Sequence, residues 1–404
     1  MQNINRAIRN AYDETGGLPL QTIQSPGGIT RRSFIKFGGA AALTLALPGA
    51  LSTLTGCRSE AGDAFFRGER KVTDHAGREL TIPTVDKLER IYFTSGLAEI
   101  YVFSLAPELQ GGCAYQFTDE ELALLPEGTD KLKYMGSLAG GGEIDLEMLM
   151  AEDIQLVFDV SAVAISASDI STCDNLQNQT GIPVVMVDGS FTNVMNAYRF
   201  IGDIMGQTER AEKIATYCEG IYSDVRAAVG DIPDSEKVSL YYAEGPFGLA
   251  SEPNESLHAR TFAEAGARNV AVVPVSTSGY GMSSVSLESV IQWDPEVIIA
   301  WDDVIRGGAD EIIRTSSDWA VIRAVRDGRV YTMPNAPFAW CDRPPGVNRF
   351  LGLQWVANML YPDHYDVDMV EEVKKFYSLL YWCEITDDQA KDLLGNSYPP
   401  YRKY

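Results

Sequence analysis

The sequence predicts an α/β fold built from two similar lobes that a long helical stretch joins. Three observations carry this. From residue 70 onward, short apolar runs alternate with segments of helical periodicity, the pattern of a mostly parallel sheet with helices on both faces. Between 191 and 232 the strand signal stops: Thr192 to Met205 and Glu209 to about Val229 read as helix, the second long enough to span about 30 Å. On either side of that stretch the chain repeats itself. Leu146-Glu147 follows Asp145, Leu287-Glu288 follows Ser286, and an Asp stands seven residues after each Leu, at Asp153 and Asp294. An apolar run follows each Asp, so the repeated unit is a capped helix feeding a buried strand.

The 404-residue chain opens on an address rather than on structure. Thr30 to Lys36 contains Arg31-Arg32 ahead of Ser-Phe-Ile-Lys, which reads as a twin-arginine export motif. An Ala- and Gly-rich apolar stretch runs from Gly38 to Leu54. It ends in Leu54-Thr55-Gly56-Cys57, the pattern of a lipobox whose Cys57 receives lipid. The bland alternative is a short transmembrane anchor. Pro48 and a length below the ~20 apolar residues of a span argue against it. Residues 1–57 are therefore a signal, and the protein is expected at the outer face of the cytoplasmic membrane, held by lipid without crossing it.

Residues 58–69 read as a linker. Within 70–190, Arg90 to Thr94 is a strand, Gly96 to Leu105 a helix, Leu156 to Asp159 a strand, Asp174 to Thr180 a helix and Val184 to Val187 a buried strand. After the helical stretch at 191–232, the segment 233–365 resumes with Val238 to Tyr242 as a strand and Ala259 to Ala265 as a helix. Val285 to Ala300 follows as helix and strand, Val330 to Met333 as strand and Gly346 to Leu360 as helix. Residues 366–404 form a helical extension with a loose end from Asn396.

Composition excludes several functions. The net charge of −23 argues against nucleic acid, whose binding requires basic stripes. The leader holds more basic than acidic residues, so its removal leaves the rest more acidic still. Five cysteines beyond Cys57 are scattered without a Cys-x-x-Cys pair, and the three histidines lie far apart, which disfavours a metal centre. An odd count leaves at least one thiol free. Gly140-Gly141-Gly142 lacks the phosphate-loop pattern. Ser278, Ser283 and Ser284 have no nearby His, and no nucleophile elbow or His-Glu-x-x-His occurs, so no catalytic residues are assigned.

Several segments, in order, resemble the solute-binding proteins for iron complexes and cobalamin: Lys71 to Pro83, Asn175 to Asp188, Ser256 to Ala259, Ala265 to Val270 and Trp319 to Pro334. The resemblance spans roughly 70 to 362, with Ala267 where the family has a second Gly. It implies two Rossmann-like lobes, one long connecting helix, a ligand cleft between the lobes and delivery of cargo to an ABC permease dimer. It also implies that Glu147 and Glu288 dock on that permease, whose arginines they would pair. Both are plain helix-start charges in the bland reading, stabilised there by the helix dipole. Ligands of open α/β sheets sit beyond the carboxyl ends of strands. Ser95, Tyr115, Phe247, Trp301, Trp340 and Arg343 follow strand ends and are the candidate cleft residues: aromatics to cover a bulky complex and a guanidinium to fork onto an anion. No cofactor is expected. The expected cargo is a metal chelate, namely a ferric siderophore, haem or cobalamin; alternatives are a molybdate- or tungstate-type oxyanion and, further off, a lipid-anchored hydrolase.

Overall fold

The computed structural model describes residues 68–276, 281–302 and 307–398. The export motif at Arg31 and Arg32, the lipobox Cys57, most of the linker, Ser278 and the last six residues lie outside them.

The chain enters through an antiparallel hairpin, β1 (Glu69–Thr73) and β2 (Glu79–Pro83). The first sheet is fully parallel: β3 (Ile91–Phe93), β4 (Leu156–Ser161) and β5 (Val184–Asp188), in that order. Both of its faces are covered, and the strand alternation assigns side chains to them. Phe93, Phe158, Val160, Val185 and Val187 face the main core, whereas Tyr92, Val157, Val184 and Met186 face a second cluster with Met135, Leu149 and Leu176. Helix α1 (Gly96–Leu105) follows β3 and is buried from Leu97 to its end, an apolar helix with no solvent face. Helix α2 (Leu146–Ala151) leads into β4 and α3 (Ala167–Thr180) into β5.

Helix α4 (Val194–Met205) ends at Gly206 in the left-handed region (φ 71°). Helix α5 (Thr208–Val229) then runs 22 residues, about 33 Å. Its buried face, Ala211, Ile214, Ala215, Cys218, Ile221, Val225 and Val229, recurs every three to four residues. The second sheet carries β6 (Ser239–Ala243), β8 (Arg268–Asn269), β10 (Val297–Trp301) and β11 (Val330–Met333), parallel in the order β11-β10-β6-β8. A small antiparallel pair, β7 (Ala250–Ser251) and β9 (Ser283–Ser284), flanks it. Helix α6 (Leu287–Trp293) feeds β10 as α2 feeds β4.

The repeat read from sequence has one structural meaning. Asp145 and Ser286 cap their helices, accepting from the Met148 and Ser289 amides. Asp153 (φ 52°) and Asp294 (φ 42°) both adopt the left-handed conformation that ends the unit. Each strand then starts three residues later.

The tail differs from the expected appendage. Helix α7 (Asn348–Leu360) is buried throughout, and α8 (Met369–Tyr381) packs on α1 and α7 with Phe376, Tyr377, Leu380 and Tyr381 fully enclosed. The Trp382 indole donates to the Phe103 carbonyl (2.8 Å), and the Arg210 guanidinium lies 3.4 Å above its ring. Past α9 (Asp387–Leu394), Asn396 donates to the Val330 carbonyl and accepts from the Thr332 amide, closing the β11 edge of the second sheet. The start of the expected loose end is thus tied to the core as far as Ser397, whose hydroxyl accepts from the Trp355 indole. Among the described residues no helix is long and apolar enough to cross a membrane. Cys113, Cys173, Cys218, Cys341 and Cys383 are all free thiols.

Candidate ligand cavity

A cavity of about 560 Å³ opens where the strands of both sheets end. The first lobe supplies the ends of β3 and β4, the first turn of α1, the loop at 137–140 and Asp169, Thr172 and Cys173 of α3; the second supplies Trp301, His258, Asn335 and Arg343-Pro344-Pro345. A second hollow of about 630 Å³ lies among Pro107, Leu125, Pro126 and Trp382, and touches no strand end.

The first-lobe wall is built from the exit of β3. Thr94 donates its hydroxyl to Asp159 (2.6 Å), and its carbonyl receives the Leu138 amide and the Ser137 hydroxyl, tying the 137–140 loop down. Ser95 is extended and caps α1, its oxygen accepting from the Ala98 amide (3.3 Å). Burial raises the Asp159 carboxyl above its ordinary value, against hydrogen bonds from Thr94 and Cys173. Tyr115 packs on Gly96, stays 41% exposed and stands 5.0 Å from Phe117 and 6.0 Å from Phe338, ring centre to ring centre.

The second-lobe wall presents Arg343, His258 and Trp301, and a cluster of carboxylates lies behind them. Trp301, the last residue of β10, lies under the Arg343 guanidinium at 4.8 Å. Arg343 Nη1 is 2.8 Å from Glu244 Oε1 and also contacts Asp342; Nη2 is 3.1 Å from Glu252 Oε1. Glu244 and Asp342 are fully enclosed and Glu252 nearly so. Neither Glu244 oxygen has hydrogen-bond alignment with a donor, so its hold on Arg343 is an ion pair alone. Burial, opposed by Arg343 and reinforced by Glu252, pushes Glu244 up to about 7. The Asp342 carboxylate takes the His258 Nδ1 at 2.6 Å. Burial and the nearby Arg343 hold His258 below its ordinary value.

Of the six candidates from sequence, Ser95, Tyr115, Trp301 and Arg343 come together around this cavity. Two do not. Trp340 is fully buried, edge-on to Trp355, with its indole donating to the Tyr377 hydroxyl (3.2 Å); the tail that encloses it was read as an extension, so its burial was not foreseen. Phe247 is half-buried in the Gly245 to Gly248 turn and does not line the cavity. Sequence reasoning passed over Glu244 and Glu252; the pairing of Arg343 with its neighbour Asp342, the bland reading of that arginine, is present. Glu244 had a signal: it is the acid that ends the apolar run of β6, at the ligand end of the sheet. Glu147 and Glu288 are exposed in the first turns of α2 and α6. Among the described residues, no group of three or more His, Cys, Asp or Glu side chains could hold a metal ion.

Comparison with known proteins agrees with this architecture. Residues 162–337 match the model of a family described as periplasmic binding protein. The chain is 31% identical over 163 residues to the molybdate-binding protein MolA of Haemophilus influenzae; the match covers 40% of this chain and 44% of that relative, less than half its length. An ABC transporter solute binding protein from Sulfurospirillum deleyianum superposes with a TM-score of 0.73 at 27% identity, over 80% of this chain and 98% of that one. The structure of MolA bound to molybdate shares the fold, with a TM-score of 0.61 at 22% identity over 78% of this chain and 99% of that one. With two parallel sheets, one long connecting helix and a cavity at the strand ends of both, the chain has the fold of the ABC-transporter solute-binding proteins, and its residues 162–337 match the periplasmic binding protein family.

Proposed function

We propose that this is an extracytoplasmic solute-binding protein that delivers a metal chelate, a ferric siderophore, haem or cobalamin, to an ABC importer, with lipid on Cys57 as its tether. The observation that carries the reading is the cavity itself. Its volume of about 560 Å³ suits a bulky organic complex, and Tyr115 offers an exposed aromatic surface from the first lobe. The family and fold are those of binding proteins for transport rather than of enzymes.

A second reading within the same fold is capture of a molybdate- or tungstate-type oxyanion. The 31% identity to a molybdate-binding protein favours it, and Arg343 would be its anchor.

The importer half of the proposal rests on Glu147 and Glu288, one exposed acid at the start of the corresponding helix in each lobe. A permease of two subunits would meet one on each side. Replacing both by Ala is expected to abolish cargo uptake in the native host while leaving cargo affinity of the purified protein unchanged. Uptake at the wild-type rate would sink the docking assignment.

A further inference from the structure

The second-lobe wall goes further, on the reading that the cavity holds cargo. Arg343 is the one lysine or arginine that lines it among the described residues. An anion drawn to that guanidinium would find it already engaged. Glu244 stands 2.8 Å from Nη1 and Glu252 3.1 Å from Nη2, and Asp342 touches Nη1 as well. Among the described residues, Glu252, Asp342 and a partly ionised Glu244 surround one guanidinium, which leaves the cluster net negative. They are buried, so water screens them little, and a dianion approaching Arg343 is repelled by the same groups that hold it. The opposite wall adds Asp159 and Asp169 and no described cation.

The cluster is also built to stay put. The Glu252 Oε1 that meets Arg343 also accepts the Met282 amide (2.5 Å), and the Glu252 carbonyl accepts from the buried Asn269 side chain (2.7 Å). Trp301 closes the guanidinium from the β10 side. Freeing Arg343 for a ligand would leave the buried Glu244 without the cation it faces.

We propose that Glu244 and Glu252 are specificity-determining residues of the cavity: they cage Arg343 so that free oxyanions are refused and cargo must present a neutral or cationic face to this wall. A metal chelate whose charge is already neutralised by its own metal meets that condition, whereas molybdate and tungstate do not.

The test is calorimetric titration of the full protein and of E244Q, E252Q and the double variant with sodium molybdate and sodium tungstate. Each glutamine keeps the shape and removes the charge. Wild type is expected to bind neither oxyanion measurably, and the double variant to gain affinity by about tenfold or more as the repulsion is removed. Thermal melts identify any variant that fails to fold, and D342N then replaces it, since it removes the third carboxylate of the cage. Wild type binding molybdate as tightly as the folded variants overturns the proposal, and so does the absence of binding in all of them. The chelate reading fails separately: variants that gain molybdate while wild type binds no ferric siderophore, haem or cobalamin would keep the cage and remove that cargo.

Discussion

Glu99 shows how one side chain sets a wall of the cavity from behind. It sits in the first turn of α1 and is fully buried. One of its oxygens accepts the Ala114 amide (2.7 Å) and the Gln110 side chain (3.1 Å), fixing the segment that presents Tyr115. Burial pushes Glu99 up to about 8 from an ordinary 4.5. The folded protein therefore holds a proton that the unfolded chain has released. The stability this contributes is complete below about 4.5 and is lost as pH rises through about 8. E99Q removes the titration and keeps the acceptor. The melting temperature of E99Q relative to wild type is expected to climb between pH 5 and pH 9; parallel profiles would show that Glu99 does not carry this proton. Nothing in the sequence marks Glu99 out, because a Glu in the first turn of a helix reads as a solvated dipole partner. Its burial depends on residues 110–114 folding back over α1, a non-local event. The cage around Arg343 was legible only in part: Asp342 is its neighbour in sequence, whereas Glu244 and Glu252 flank one turn, closed by the Glu244–Ala250 backbone pair, and meet Arg343 only through the fold.

At the scale of elements, legibility followed periodicity. The strands β4, β5, β6, β10 and β11 and the helices α1 and α5 were readable to within a few residues, because each is a clean apolar run or a clean helical stripe. The repeated capped helix was readable too, and its two Asp residues proved to be the left-handed stops of the two units. The tail was misread in its role. The helical pattern of α8 was plain, but amphipathicity does not say which surface receives the apolar face. In the structure that face fills the groove over α1 and α7. Leu380, with no exposed surface, belongs to the same core as the first sheet. L380A is therefore expected to cost about 2–5 kcal/mol in denaturant unfolding, as for other deep core truncations. A cost below about 1 kcal/mol, the range of a surface change, would mean that the tail is an accessory after all.

At the scale of the molecule, α5 and the buried tail both brace the two lobes through one continuous core, so cavity closure should be a small movement. The negative charge of the whole chain says nothing of cargo. Cargo is decided by the cavity, and there the relatives and the side chains pull in different directions. The partial likeness to a molybdate-binding protein favours an oxyanion; the volume, the exposed Tyr115 ring and the caged Arg343 favour a chelate. The most direct test is the metal content and visible absorption of the protein isolated from its own host without chelators. The account predicts a coloured sample carrying iron or cobalt in about equimolar amount. A colourless sample carrying molybdenum or tungsten would contradict it.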